Sequence, residues 1–351
     1  MEKRTENQQL LWLAVLFFFL DIMSKQLFTN FRIAKFRFYL APRGIIRFPR
    51  YQGSTLRGGL GHALHKVCCS FDYGKCRDCL LKEKCAYAYI FETSPFINSN
   101  KLSKNLHLPQ PFVIEPSLDN KEEYRKGELY NFDLILIGKG IEHMLYLLVA
   151  FKELGNIGLG RGWGKFELER VEAINELREE KIEIYSSAKG IINNSILSFD
   201  FAEIIEYHRD MLDSRELIIE FLTPMRLKFN NSYVSKPEFH ILFRNVLRRL
   251  SSLAYFHCDE DLEESIDFKR VIEKSREVEV EEMNTRWLDW ERYSSRQDDK
   301  MRLGGFIGEV VYRGELKEFI PYILLGEQVH IGKNCTFGLG KYRVRFGKEG
   351  A

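Results

Sequence analysis

The sequence predicts an α+β chain of two tandem units, each running strand, helix, strand, strand, helix, strand, the ferredoxin-like order. Three observations predict it. A glycine-rich segment, "GNIGLGRGWGKFELERV", has a counterpart, "GKNCTFGLGKYRVRF", at the C-terminus. The same sequence of strand-like and helix-like patterns precedes each copy. Finally, 351 residues with 45% apolar and 29% charged side chains suffice for two buried cores and leave no room for a long low-complexity region.

The elements follow in order. "IAKFRFYLAP" alternates as a first strand and leads to a helix, "GSTLRGGLGHALHKV", with Leu56, Leu60, Leu64 and Val67 on its core face. "LYNFDLILIG" is a strand, "IEHMLYLLVAFKEL" a helix, and the first glycine loop joins that helix to a last strand. The second unit opens with "ELIIEFLTPMRLKF" and the helix "KPEFHILFRNVLRRLSSLAY". It continues with the strand "GGFIGEVVY", the helix "LKEFIPYILL" and the second glycine loop, 332–340. The second strand of each unit carries the weakest pattern. Residues 23–205 are expected to form the N-terminal unit, with a cysteine-rich insertion at 68–90, and 206–351 the C-terminal unit. The segment 259–285 is acidic and is expected to be an exposed helical or loop insertion.

Residues 1–22 stand apart. Leu10 to Leu20 is an uninterrupted apolar run, too short for a bilayer, which needs roughly 20 residues. No small-residue cleavage site follows it. Met23 begins "MSKQLFTNFRIAKFRFYL", which suits the opening of a soluble unit, so 1–22 is expected to be a non-native or helical extension, with a membrane anchor as the alternative.

The formal charge of +2 gives the whole molecule little steering field, so any nucleic-acid contact has to come from local clusters. The glycine loops run from helix to strand and lack the GK-[ST] ending, which disfavours a dinucleotide or P-loop site. The second loop is flanked by His330, Lys333, Lys341, Arg343 and Arg345, a set suited to an RNA backbone. On the helix after Pro237, His240, Arg244 and Arg248 recur every four residues and form a row that could track phosphates or pair with acids. His62 and His65 project from the first helix. Histidine can give or take a proton near neutral pH, which is what metal-free RNA cleavage by the substrate's own 2′-hydroxyl requires. Either one alone also fits a solvated helix position. Cys69, Cys76, Cys79 and Cys85, with Cys68 as an alternative first ligand, form a CxxC-centred set suited to structural zinc; an iron–sulfur cluster uses similar ligands, and free thiols are the plain alternative.

With these segments in hand, the chain resembles the CRISPR-associated RAMP processing endoribonucleases, in the larger subgroup with a cysteine cluster after the first helix. "YQGSTLRGGLGHALHKVCC", "CRDCLLKEKCAYAYIFE", "FLTPMRLKF", "RYSSRQDDKMRLGGFIGEVVY" and "HIGKNCTFGLGKYRV" carry the resemblance, which covers nearly everything after Met23. It implies two tandem ferredoxin-like (RRM-like) domains and a cytoplasmic enzyme that binds CRISPR repeat RNA. Cleavage of the precursor transcript would need no catalytic cofactor and would leave a 2′,3′-cyclic phosphate. Under this reading His62 or His65 transfers protons, with His330 as the rival. Arg57, Arg226, Arg296, Lys333, Lys341 and Arg343, with the His240–Arg244–Arg248 row, contact RNA. A non-catalytic RAMP subunit holding guide RNA among other effector subunits explains the same fold, and a zinc-stabilised regulator of other nucleic acids is a third reading.

Overall fold

The computed structural model describes residues 27–347 apart from 70–75, 93–107, 120, 190, 194, 290 and 295–298. The expectation for residues 1–22 therefore lies outside the described residues. The N-terminal half runs β1 (Ile33–Pro42), β2 (Ile46–Arg47), α1 (Gly53–Cys68), β3 (Phe112–Pro116), β4 (Glu123–Tyr124), β5 (Tyr130–Ile137), α2 (Met144–Ile157), β6 (Phe166–Asn175), β7 (Glu180–Ser186) and β8 (Ile191–Ile192). After α3 (Phe201–Tyr207), the C-terminal half runs β9 (Glu216–Met225), the small ribbon β10 (Lys228–Phe229) and β11 (Ser232–Tyr233), α4 (Phe239–His257), α5 (Phe268–Lys274), β12 (Glu279–Leu288), β13 (Glu291–Ser294), β14 (Asp299–Arg302), β15 (Gly305–Arg313), α6 (Ile320–Val329) and β16 (Tyr342–Phe346).

The first sheet has the order β3-β5-β1-β6-β7-β8 and the second β12-β15-β9-β16, with antiparallel pairing throughout. In each, the unit's first strand lies inside, flanked by the strand that enters the second helix and the strand that leaves it. β1 shows how the pattern works. Ala34, Phe36, Phe38 and Leu40 alternate onto the buried face and pack with Leu56, Leu60 and Leu64 of α1 and Leu147, Phe151 and Leu154 of α2. Val67, expected on the same core face, is instead exposed in the last turn of α1, beside the cysteine segment. The C-terminal core gathers Leu217, Ile219 and Phe221 of β9 with the apolar stripe of α4 and with Ile320, Ile323 and Leu324 of α6.

Two sequence expectations change. The acidic stretch 259–285 is not only an insertion, because its end is β12, the weakly patterned second strand. β12 pairs on one side alone, with β15, and its residues are exposed or half-buried, so acidic side chains are tolerated and keep the edge from pairing further. The division expected near residue 205 falls inside α3, whose Phe201, Ile204 and Ile205 belong to the C-terminal core, as do Leu27, Phe28 and Phe31 ahead of β1.

The halves share a wide seam. Val113, Ile135 and Ile137 of the first sheet enter the C-terminal core. Gly53, at the start of α1, lies against the backbone carbonyl of Phe337, and the Tyr51 hydroxyl donates to that same carbonyl. A methyl at Gly53 would collide with backbone rather than with a yielding side chain. Gly53→Ala is therefore expected to destabilise the fold by about 1–3 kcal/mol, the usual range for overpacking, as read from the denaturant midpoint; an unchanged midpoint would show that the seam yields.

Candidate nucleic-acid interface

The second glycine loop sits where three elements of the C-terminal half meet. The chain leaves β9 at Arg226, whose carbonyl accepts from Lys333 N–H at 3.2 Å. α4 lies alongside: Asn245 caps the Lys228 carbonyl at 3.5 Å and accepts from the Arg248 guanidinium at 2.8 Å. Arg226 lies over the Tyr233 ring at 4.3 Å and Arg244 over Phe229 at 5.5 Å, so aromatic faces hold the cations without cancelling their charge. Burial lowers the Lys333 pKa first, and the positive charges of Arg248, Lys228 and Arg226 press it down further. Burial and the neighbouring Arg244 do the same to Arg248. Cations crowded around Lys333 and Arg248 form a pocket that would gain from an anion, and a phosphodiester supplies one.

The structure thus brings together Arg226, Arg244, Arg248 and Lys333 from the sequence-predicted set and adds Lys228. It removes His240 from the row. That side chain is 7% exposed, set edge-on to Phe229 with Nδ1 3.5 Å from Glu238, because the β10–β11 side covers the first turn of α4. Arg296 lies outside the described residues. Arg57 is committed to the seam: it donates to Thr336 Oγ1 at 3.1 Å and Gln110 Oε1 at 2.9 Å, and its guanidinium lies over Phe337 and Phe91.

His330 and Lys341 belong to a buried charge cluster. His330 is 0% exposed; Nδ1 bonds the Leu339 carbonyl at 3.0 Å, and Nε2 meets Glu115 Oε1 of β3 at 2.6 Å. Lys341 and Lys35 approach the other Glu115 oxygen at 3.0 and 3.4 Å. Burial alone would raise the Glu115 pKa, but Lys35, the His330 hydrogen bond and Lys341 hold the carboxyl well below its ordinary range. With no exposed surface and both ring nitrogens engaged, His330 cannot reach a substrate phosphate, which corrects its candidacy for proton transfer. Next to the cluster a polar cleft of ≈ 280 Å³ is lined by Lys35, Arg37, Asp133, Glu176, Glu327 and Arg343, among others. Arg343, half-open to solvent, lies 3.8 Å from Glu220. Sequence reasoning missed Glu327, whose carboxyl burial pushes up to about 7. A lone acid inside the apolar run "IPYILLGEQV" was the available signal.

His62 is exposed and His65 half-exposed on α1, the latter edge-on to Tyr87 at 4.8 Å. The helix that carries them is tied through Arg57 to Thr336, three residues beyond Lys333. The five cysteines Cys68, Cys69, Cys76, Cys79 and Cys85 line one cavity with His65 and Tyr146. Burial, then the charge of Cys85, pushes the Cys68 thiol up to about 11. Among the described residues no group of three or more His, Cys, Asp or Glu side chains is disposed to hold a metal ion, and no helix is long and apolar enough to cross a membrane.

Comparison with known proteins gives these features a context. Residues 219–342, which contain the cation cluster and the second glycine loop, match the family model of the CRISPR-associated endoribonuclease Cas6. Over that segment the chain is similar to Cas6. Residues 31–197 match a further model described as an N-terminal domain. An uncharacterized protein of Archaeoglobus fulgidus is 22% identical over 301 residues, 85% of this chain and 92% of its own length. Among solved structures, Thermus thermophilus Cas6 superposes with a TM-score of 0.51 at 14% identity, covering 90% of this chain and 99% of that one. A partial Cas6-RT-Cas1–Cas2 complex gives 0.55 at 13% identity over 92% of this chain, which spans only 47% of its counterpart's length. These likenesses establish a mixed α+β fold with antiparallel sheets of the Cas6 kind.

The depressed Glu115 pKa has a defined sign. A carboxyl held low by its folded neighbours adds stability above its unfolded value, near 4.5, and that contribution is lost as pH falls through the folded value. Glu115→Gln is expected to cost about 3–5 kcal/mol at pH 7, as for one partner removed from a buried ion cluster. The variant should also flatten the acid limb of the stability–pH curve; equal acid limbs in the two proteins would refute this role.

Proposed function

We propose that the chain is an endoribonuclease that binds CRISPR repeat RNA and cuts the precursor transcript into guide RNAs. The cation pocket of Arg226, Lys228, Arg244, Arg248 and Lys333 carries this reading, since it crowds positive charge around Lys333 and Arg248 beside a glycine loop in the half that matches Cas6. The strand orders of the two sheets support reading the halves as tandem ferredoxin-like domains, with the cysteine segment as an insertion after α1. A Cas6 product complex is among the solved structures of the same fold, with a TM-score of 0.51 and 15% identity.

In this mechanism the pocket holds the backbone and its charge balances the phosphorane that forms when the 2′-hydroxyl attacks the adjacent phosphate. His62, exposed on α1, or the half-exposed His65 takes the hydroxyl proton or returns one to the 5′-oxygen, leaving a 2′,3′-cyclic phosphate without a metal ion. The enzyme acts in the cytoplasm, and assembly with other CRISPR proteins is a further part of the proposal.

The test incubates the protein with the repeat RNA of its own locus in EDTA, beside His62→Ala, His65→Ala, Lys333→Ala and Arg248→Ala. One histidine substitution should reduce cleavage by about 10²–10⁴-fold with binding retained. Each cation substitution should weaken binding and lower the salt slope by about 1. Tight binding by the unaltered protein without any cleavage would instead identify a non-catalytic RAMP subunit.

Although their side chains are not disposed as a metal site in this structure, Cys69, Cys76, Cys79 and Cys85 are assigned under this reading to one structural metal, zinc by ligand type. Protein purified without chelator should then contain about one equivalent of zinc or an iron–sulfur chromophore. Metal-free protein with an intact fold would overturn that assignment.

A further inference from the structure

The first glycine loop does the opposite of the second. In the C-terminal loop the aromatic residue, Phe337, is 8% exposed and sealed beneath Arg57. In the N-terminal loop the aromatic residue, Trp163, is 66% exposed and takes a left-handed backbone conformation, φ +55°. A bulky side chain rarely adopts that conformation, and a large apolar ring left in water forgoes its burial. The loop is nevertheless fixed. Leu159 and Gly164 exchange both backbone hydrogen bonds at 2.9 and 3.0 Å, and Arg161 N–H donates to the Arg47 carbonyl at 2.8 Å. Gly160, at φ +72°, lies against that same carbonyl, so no side chain fits there. Below the loop, Leu159 packs on Gly59 of α1, one turn before His62.

The surroundings are basic. Arg43, Arg47, Arg161 and Lys165 are all exposed around the loop, and Arg43 N–H bonds the Lys165 carbonyl at 2.9 Å. Glu123 takes Arg47 at 3.0 Å and Arg125 at 2.8 Å, and Glu167 lies 3.9 Å from Arg43. Arg161 and Lys165 have no carboxylate at ion-pair distance among the described residues. A rigidly presented indole ringed by cations matches the requirement of a single-stranded nucleic acid: an aromatic face for a base and positive charge for the flanking phosphates.

We propose that Trp163 is a stacking platform for an unpaired base, with Arg161 and Lys165 holding the adjoining phosphates, so that the N-terminal half has an RNA subsite separate from the pocket around Lys333. The inference rests on the RNA-binding function proposed above.

The test measures equilibrium binding of the locus's own repeat RNA to the unaltered protein and to Trp163→Ala, Trp163→Phe and Arg161→Ala. Trp163→Ala should weaken binding by about 5- to 100-fold with an unchanged salt slope, since base stacking on an aromatic ring is not ionic. Trp163→Phe should restore most of the loss, and Arg161→Ala should lower the slope by about 1. Because the ring is exposed, thermal unfolding of the Trp163 variants should match the unaltered protein. RNA should quench indole emission in the unaltered protein and far less in Trp163→Phe. Equal RNA affinity for Trp163→Ala and the unaltered protein would overturn the platform and leave the proposed function standing, whereas no RNA binding by the unaltered protein would overturn both.

Discussion

A carboxylate taken out of water has to be answered by charge, and Glu115 is answered from both halves of the chain. Lys35 approaches from β1 within its own sheet, while His330 and Lys341 come from either end of the second glycine loop. None of these groups could remain charged and buried alone. Their mutual dependence fixes the loop against the first sheet, and the loop in turn seats α1 through Phe337 and Thr336. The position of the helix bearing His62 and His65 therefore follows from a charge cluster that touches neither of them.

The same balance explains how a chain of net charge +2 can offer a basic surface. Many cations among the described residues are neutralised locally, as with Arg37 against Asp133 or Lys274 against Glu318. At Lys333 the dominant neighbours are other cations. Crowding of like charge is costly in the free protein, and that cost is relieved when a polyanion arrives. A buried carboxylate and a crowded cation pocket lie at opposite sides of one short loop, the first serving the fold and the second available to a ligand.

Much of the fold was legible because core alternation and helical periodicity are local. β1 occupies the ten residues expected of it, and the helices begin within a few residues of their patterns. β12 was hidden because an edge strand bonded on one side can expose charge along its length, and the eye takes acidic residues for a loop. The candidate site was less legible. Four-residue spacing put His240 in line with Arg244 and Arg248, but spacing carries no knowledge of the ribbon that covers the first turn of α4. His330 looked free because Glu115 is 215 residues away in sequence. Lys228 followed Arg226 by two residues and could have been counted with it; Glu327 stood out as an acid in an apolar helix.

The contact between Gly53 and the Phe337 carbonyl has a consequence for how a long ligand is received. Backbone packed on backbone leaves no slack, so the two halves cannot part like jaws without breaking the buried charges beside them. A polymer crossing this protein would meet a preformed bed, paying little to reorganise its host and bearing the ordering cost itself.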